Sequence, residues 1–304
     1  MRIASFDVPL AAAWRLTDRC DLSCRHCLNA SGPKADTAAE LSRPEALKLA
    51  RSIGSAQVPY VILCGGEPML SPDFWQAAET LGEAGAWLKV ETHGQNLGRT
   101  QAERLAKLPI RSVQVSLDGV TQQAYESLRP GASLAKTLEA CREVRRQGMP
   151  LEISFVPVQG NIHEAPAVID LALDLGAFRF NTGTLIKRGR AAAAWKKLLP
   201  DAESMAGLLA VLTRREATLA GRLELCFRPF NFEDQVRAER AEPSGTLTIL
   251  PDGKVPVSAS SDVVCADLRT QTVREAWRAY LAAHGKGPRS ERWVGSCLEP
   301  ATRS

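Results

Sequence analysis

The chain has 304 residues, of which 45% are hydrophobic and 24% charged, and its formal net charge is +4. This length allows one large α/β domain with a smaller appendage, and the composition excludes a disordered or low-complexity chain. No apolar run is long enough to predict a membrane span, and the N-terminal segment lacks a convincing signal-peptide cleavage site. The net charge is mild, and the basic clusters are not interleaved with aromatic residues in the way of a single-strand nucleic-acid platform, so a nucleic-acid partner is not indicated. We therefore expect a cytoplasmic protein with no membrane partner.

Strand-like and helix-like segments alternate through the first two thirds of the chain. The predicted strands are 11–17, 60–63, 86–92, 112–117, 151–158 and 178–184. The predicted helices are 43–57, 71–84, 100–107, 133–147, 162–175 and 200–220. Several begin at plausible caps, such as Ser42 ahead of Pro44. This α/β alternation predicts a parallel sheet closed into a partial (βα)6 TIM-like barrel, with its chemistry at the carboxyl ends of the strands.

The pattern changes after residue 220. Segments 246–250 and 255–257 are predicted to pair as a hairpin across an Asp252-Gly253 turn, and a helix is predicted over 273–283. The sequence thus predicts a core over 1–220 and a small C-terminal α+β cap over 221–304.

Three cysteines, Cys20, Cys24 and Cys27, follow the first predicted strand in a C-x3-C-x2-C spacing. Three thiolates on one loop can converge on a single soft metal centre. A structural zinc site normally has four protein ligands, and His26 is wrongly placed beside Cys27 to be the fourth. An iron–sulfur cubane held by three cysteines leaves one iron open to another ligand. Without a secretion signal, the eight cysteines do not indicate a disulfide scaffold.

Four further motifs lie at the carboxyl ends of later predicted strands. They are Gly65-Gly66-Glu67-Pro68, Thr92-His93-Gly94, Ser116-Leu117-Asp118-Gly119 and Lys187-Arg188-Gly189-Arg190. Together with the cysteine spacing they resemble, in order, the signature motifs of the radical S-adenosylmethionine (radical SAM) superfamily. His93 stands where that family has asparagine, and Arg129 falls where relatives carry an arginine in an R-x-G context.

The resemblance implies a [4Fe–4S] cluster on Cys20, Cys24 and Cys27, with SAM bound to the open iron. Reduction of SAM would release a 5′-deoxyadenosyl radical that abstracts hydrogen from a substrate. The implied SAM pocket contains His26, Gly65, Gly66, Glu67, Pro68, Thr92, His93, Ser116, Asp118 and Arg129. A reducing partner, such as a flavodoxin or ferredoxin, is implied as well.

Segment 244–258 resembles the family's C-terminal SPASM extension, or its shorter twitch form. Those extensions bind auxiliary [4Fe–4S] clusters through cysteines that bracket the hairpin, but Ser244 and Ser258 stand near those places here. Either the extension has lost its cluster, which we favour, or Cys226, Cys265 and Cys297 hold one with an unusual fourth ligand. Cys265 or Cys226 is also a candidate hydrogen-atom donor to a substrate radical, and the alternative is a buried structural thiol.

The expected substrate is a small metabolite or natural-product intermediate, with epimerisation, dehydrogenation, decarboxylation or coupling as the outcome. No leader-peptide recognition module fits ahead of Cys20, which favours a small molecule. A peptide presented by a separate partner is the alternative. A non-catalytic iron–sulfur scaffold or sensor has no need of a SAM pocket, and a glycyl-radical activating enzyme lacks the hairpin; both rank lower.

Overall fold

The structure is a computed structural model that describes residues 3–227 and 242–284. Contacts between residues divide the described chain into two compact units. The first contains residues 3–21, 31–90 and 242–284, and the second contains residues 22–30 and 91–227. The predicted division at residue 221, between a core and a cap, stays a prediction.

The described residues alternate between strands and helices, as the sequence predicts. The strands are β1 (Ala11–Arg15), β2 (Tyr60–Cys64), β3 (Trp87–Thr92), β4 (Ile110–Ser116), β5 (Leu151–Phe155), β6 (Arg179–Thr182), β7 (Glu224–Cys226), β8 (Thr246–Ile249), β9 (Lys254–Pro256) and β10 (Val264–Asp267). The helices are α1 (Arg43–Ser55), α2 (Phe74–Glu83), α3 (Arg99–Leu105), α4 (Gln122–Leu128), α5 (Leu134–Arg146), α6 (Ala165–Asp174), α7 (Gly189–Ala193), α8 (Trp195–Leu198), α9 (Ala202–Leu219) and α10 (Val273–His284). Short 3-10 helices occupy Ile3–Ser5, Pro68–Leu70 and Ile162–Glu164.

The first unit is built on parallel strands in the order β8-β1-β2-β3. Helix α1 begins where the sequence predicts, because Ser42 and Glu45 form a capping box and Pro44 lies in the first turn. The core residues of this unit include Trp14, Val61, Leu63, Leu88, Leu247 and Ile249. Burying each such large apolar side chain contributes about 1.5–3 kcal/mol.

The predicted hairpin between segments 246–250 and 255–257 forms only at its turn, where Leu250 N–H donates to Lys254 O at 2.8 Å, and the two described segments make no strand ladder with each other. Strand β8 instead pairs in parallel with β1, and β9 pairs antiparallel with β10. The Asp252-Gly253 turn does form, since Gly253 has φ +81° and its N–H donates to Leu250 O at 2.9 Å. Beside β1, β8 buries Leu247 and Ile249 completely, and Pro256 of β9 lacks the N–H donor that a longer ladder with β8 would need.

The second unit is built on parallel strands in the order β4-β5-β6-β7. One face of this sheet is apolar, and the rings of Phe155 and Phe180 stack on it with centroids 6.1 Å apart. Helix α5 covers this face, since Val115 of β4 and Ala140 of α5 both lie against Gly94. The opposite face is therefore turned away from the helix and carries the polar side chains of the strands.

All six predicted strands are present in the described chain, with bounds that differ by a few residues. The sequence prediction missed α4, α7, α8, β7 and β10, which are short. Among the described helices, none combines the length and the apolar character that crossing a bilayer requires. The predicted parallel α/β class is confirmed.

Candidate active site

The cysteine loop connects β1 to α1. Cys20 and Cys24 are buried and Cys27 is half-buried, and every described cysteine is a thiol rather than half of a disulfide. Cys27 N–H donates to Cys24 O at 3.2 Å, so a tight turn separates the second and third cysteines. Three thiols on one loop match the donor set that an iron–sulfur cluster requires.

Helix α7 holds the backbone of the cysteine loop. Arg190 Nε donates to Cys24 O and Arg190 Nη1 to Ala30 O, both at 2.8 Å. Gly189, with φ +53°, lies so close that a Cβ there would be 2.6 Å from Cys27 O. The Gly-Arg pair therefore requires glycine for its close approach and arginine for its two carbonyl contacts. Sequence reasoning identified this segment only as a motif and missed its role in holding the loop.

A buried ionic network joins the end of β4 to the cysteine loop. The fully buried Asp118 accepts a hydrogen bond from Arg129 Nε on its Oδ2 at 2.7 Å, and the same oxygen lies 3.4 Å from His26 Nε2. Asp118 Oδ1 accepts from Val156 N–H at 2.9 Å. Arg129 Nη1 donates to Cys24 Sγ at 3.6 Å. Three residues of the predicted SAM pocket thus lie together beside a predicted cluster ligand.

The network fixes the charge of its members. Burial lowers the pKa of His26 to about 4, against the raising effect of Asp118, and Arg129 and Arg190 lower it further. The imidazole is therefore neutral at pH 7. Burial also lowers the pKa of Arg129, but the charges of Asp118 and Cys24 outweigh burial and hold it above its ordinary value. The guanidinium stays a cation.

In the first unit, the Gly65-Gly66 pair follows β2 and lies against the start of the cysteine loop. Gly66 N–H donates to Thr17 O at 2.7 Å, and Glu67 N–H donates to Arg19 O at 2.9 Å. A Cβ would lie 2.5 Å from Thr17 O at Gly65 and 2.3 Å from Arg19 O at Gly66. The sequence resemblance placed these glycines in the SAM pocket; the structure shows that close approach of the chain's own backbone already requires glycine at both positions.

Replacing Gly66 with alanine is expected to reduce the free energy of unfolding by about 1–3 kcal/mol, because the new Cβ would overlap Arg19 O. Chemical denaturation followed by circular dichroism measures the change. Gly160→Ala is the matched control, since its Cβ would meet nothing within 4 Å. Equal stability of the two variants would contradict the packing role.

The other predicted SAM-pocket residues also have defined local positions. Glu67 is fully buried, and its carboxylate accepts from Met69 N–H at 3.3 Å, at the start of the 3-10 helix that contains Pro68. Thr92 and His93 are buried at the end of β3 in the second unit. His93 O accepts from the hydroxyl of Thr137 on α5 at 3.1 Å, which anchors this turn to the helix.

The polar face of the second sheet consists of two rows of side chains in register. One row is Gln114, Glu152, Arg179 and Glu224, and the row closer to the carboxyl ends is Ser116, Ser154, Asn181 and Cys226. Asn181 Nδ2 joins the rows by donating to Gln114 Oε1 at 3.0 Å and to Glu152 Oε2 at 2.7 Å. Sequence reasoning missed this face, although the alternation of polar and apolar residues along β4 and β5 indicates it.

The candidate hydrogen-donor cysteines lie in different units. Cys226 donates to Glu224 Oε1 at 3.6 Å, and burial, followed by the charge of Glu224, raises the pKa of its thiol. Cys265 donates to Val255 O at 3.3 Å, and burial raises its pKa to about 11. Both groups are protonated thiols at neutral pH, which a hydrogen-atom donor must be. Cys297 lies outside the described residues.

A cavity of about 250 Å³ lies in the first unit, at the segment that resembles the SPASM extension. Its described lining includes the hydroxyl-bearing residues Ser244, Thr246, Thr248, Ser258 and Tyr280, and contains no cysteine. The two serines that stand near the cysteine positions of the extension therefore face one shared cavity.

The cysteine loop and the motifs at the strand ends define a cofactor-dependent α/β protein. The sequence profile described as "Radical SAM superfamily" matches residues 14–172, which is more than half of the chain. The chain belongs to the radical SAM superfamily. It is accordingly an enzyme whose cofactors are a [4Fe–4S] cluster and SAM, and the thiol loop described above fits the cluster.

Relatives of known name agree with this assignment. The chain is 32% identical over 203 residues to mycofactocin maturase MftC of Mycobacterium ulcerans (strain Agy99), which is 66% of this chain but only 54% of that protein. It is 27% identical over 296 residues to the AdoMet-dependent heme synthase of Methanosarcina barkeri, covering 90% and 84% of the two chains. It is 28% identical over 302 residues to the PqqA peptide cyclase of Streptomyces rochei, covering 92% and 79%.

Solved structures show the same fold. Streptococcus suis SuiB, crystallised with S-adenosylmethionine, superposes with a TM-score of 0.73 at 15% identity, covering 92% of this chain and 68% of that one. At this identity the likeness shows the fold, and it confirms the predicted partial barrel.

Proposed function

We propose that Cys20, Cys24 and Cys27 hold the cluster and that the motif residues of the predicted SAM pocket bind SAM. When bound, these cofactors supply a 5′-deoxyadenosyl radical by reductive cleavage of SAM. The observation that carries the proposal is the buried network in which Arg129, paired with Asp118, donates to Cys24 Sγ. A chain that did not use its cysteine loop would have no reason to bury an ion pair against it, because burying ions is costly.

For the substrate, we propose a peptide, presented by a separate partner. Side chains of the polar face, such as Asn181, Gln114 and Ser154, suit backbone amides and polar side chains. An apolar ring system placed there would remove these polar groups from water and offer them no hydrogen-bond partner of its own. The names of two relatives, a maturase and a peptide cyclase, support a peptide, and SuiB was also crystallised with the precursor peptide SuiA.

The second candidate is a small metabolite, the expectation from sequence. The AdoMet-dependent heme synthase supports it, because its similarity covers 90% of this chain. The residues that would decide between the two candidates are those of the polar face.

The experiment offers two probes to anaerobically reconstituted, chemically reduced enzyme with SAM in D2O: a pool of short synthetic peptides and coproporphyrin III. We expect 5′-deoxyadenosine to rise above its substrate-free level with the peptides, accompanied by peptides of changed mass. Asn181→Leu should remove this increase and leave the substrate-free level intact. An increase with coproporphyrin III alone would favour the metabolite, and no 5′-deoxyadenosine under any condition would overturn the proposed function.

Cys226 is the proposed hydrogen-atom donor, because it shares a row of the polar face with Ser116 of the predicted SAM pocket. Cys265, in the first unit, is the alternative. In the same assay, a peptide epimerised by wild type should carry deuterium, and Cys226→Ala should abolish that label without abolishing 5′-deoxyadenosine. A fully retained label in this variant would exclude Cys226.

A further inference from the structure

A buried arginine faces one of the proposed cluster ligands. Arg129 caps the C-terminus of α4 and is 6% exposed. Its Nε and Nη2 contact Asp118 Oδ2 at 2.7 Å and 2.5 Å, and its remaining nitrogen, Nη1, donates to Cys24 Sγ at 3.6 Å. Val156 N–H holds the other oxygen of Asp118 in place. Asp118 in turn orients the planar guanidinium of Arg129, so that its Nη1 donor points at the sulfur of Cys24.

The backbone around Cys24 is fixed by contacts within the same unit. Arg25 N–H donates to Leu128 O at 2.9 Å, which ties the cysteine loop to the end of α4. Arg190 Nε holds Cys24 O from the other side at 2.8 Å. The thiol and the guanidinium are therefore positioned by separate contacts, and their approach does not depend on a single flexible side chain.

A donor in this place has a predictable electrostatic consequence. Hydrogen bonds to the cysteine sulfurs of an iron–sulfur cluster are among the features that set its reduction potential. The reduced cluster carries one more negative charge than the oxidised one, so an N–H donor at the sulfur of Cys24 stabilises the reduced form. Burial strengthens this effect because it lowers the local dielectric constant.

We propose that Arg129 is a positioning residue that raises the reduction potential of the cluster through its hydrogen bond to Cys24. This role differs from the contact with SAM that the sequence resemblance implies for Arg129. It rests on the proposed assignment of the cluster to Cys20, Cys24 and Cys27.

The test is an EPR-monitored redox titration of the anaerobically reconstituted protein without SAM. Arg129→Lys keeps the positive charge, but an ammonium group lacks the planar set of donors with which the guanidinium binds both Asp118 and the sulfur of Cys24. We expect the ratio of reduced to oxidised cluster at a fixed potential to fall on the order of tenfold, which is about 59 mV for one electron. Arg142→Lys is the matched control with wild-type potential expected, because Arg142 is exposed on α5 and contacts Glu139 rather than the cysteine loop.

Each outcome decides the proposal. An Arg129→Lys protein that has a full cluster and the wild-type reduction potential overturns the proposal. This holds also if the variant binds SAM more weakly, because the proposal concerns the potential. If this variant does not fold, pulsed EPR replaces it, with reduced wild type that carries ¹⁵N only in the guanidinium groups of arginine, and the absence of ¹⁵N coupling to the cluster overturns the proposal. A wild-type protein that assembles no cluster instead refutes the proposed function itself.

Discussion

Replacing Asp118 with alanine is expected to lower the free energy of unfolding by about 3–5 kcal/mol, the usual cost of breaking a buried ion pair. Asp118 is fully buried, and its removal leaves the Arg129 cation, itself 6% exposed, without its carboxylate partner. The Val156 N–H loses its acceptor as well. Urea denaturation of the cluster-free protein measures the effect without interference from iron.

Two further variants make this result specific. Glu139→Ala breaks exposed pairs on α5 with Arg142 and Arg146, so a change within about 0.5 kcal/mol is expected. The double variant Asp118→Leu/Arg129→Met removes both charges and should recover most of the lost stability. A loss below about 1 kcal/mol in Asp118→Ala would show that the network does not contribute to folding.

Replacing Cys20, Cys24 and Cys27 together with alanine is expected to remove all bound cluster. Iron and sulfide analysis, with EPR of the reduced state, measures what remains after anaerobic reconstitution. We expect none, because the extension-like segment presents Ser244 and Ser258 to a cavity whose described lining contains no cysteine. Thiolates are the ligands that clusters normally require.

The complementary variant replaces Cys226 and Cys265 with alanine and should retain the iron content of wild type. A cubane that persists in the triple variant would contradict the loss of the auxiliary cluster. It would also favour oxidation or coupling chemistry, in which the substrate radical passes an electron to a second cluster.

The sequence by itself determined the features that depend on neighbours along the chain. Cys20, Cys24 and Cys27 lie within eight consecutive residues, so the chain itself keeps the three thiols close together in any fold. The cap at Ser42 and the period of the apolar residues fixed the helices, because both signals act within a few residues. The alternation of strands and helices along the chain predicts a parallel sheet, and the strands β1 to β8 of the described chain pair in parallel where their register is given.

Only the tertiary structure decided which distant residues meet. The alternating pattern of strand β8 does not indicate its partner strand, and only the fold shows that β8 pairs with β1 and buries Leu247 and Ile249 in the core. The two polar rows exist because the register aligns alternate residues of β4 to β7, and a shift of one residue would turn each side chain to the other face. The contact of Arg129 with Cys24 joins residues 105 positions apart, so no local pattern contains it. Such pairings follow from the packing of the whole unit, in which burial and register act together.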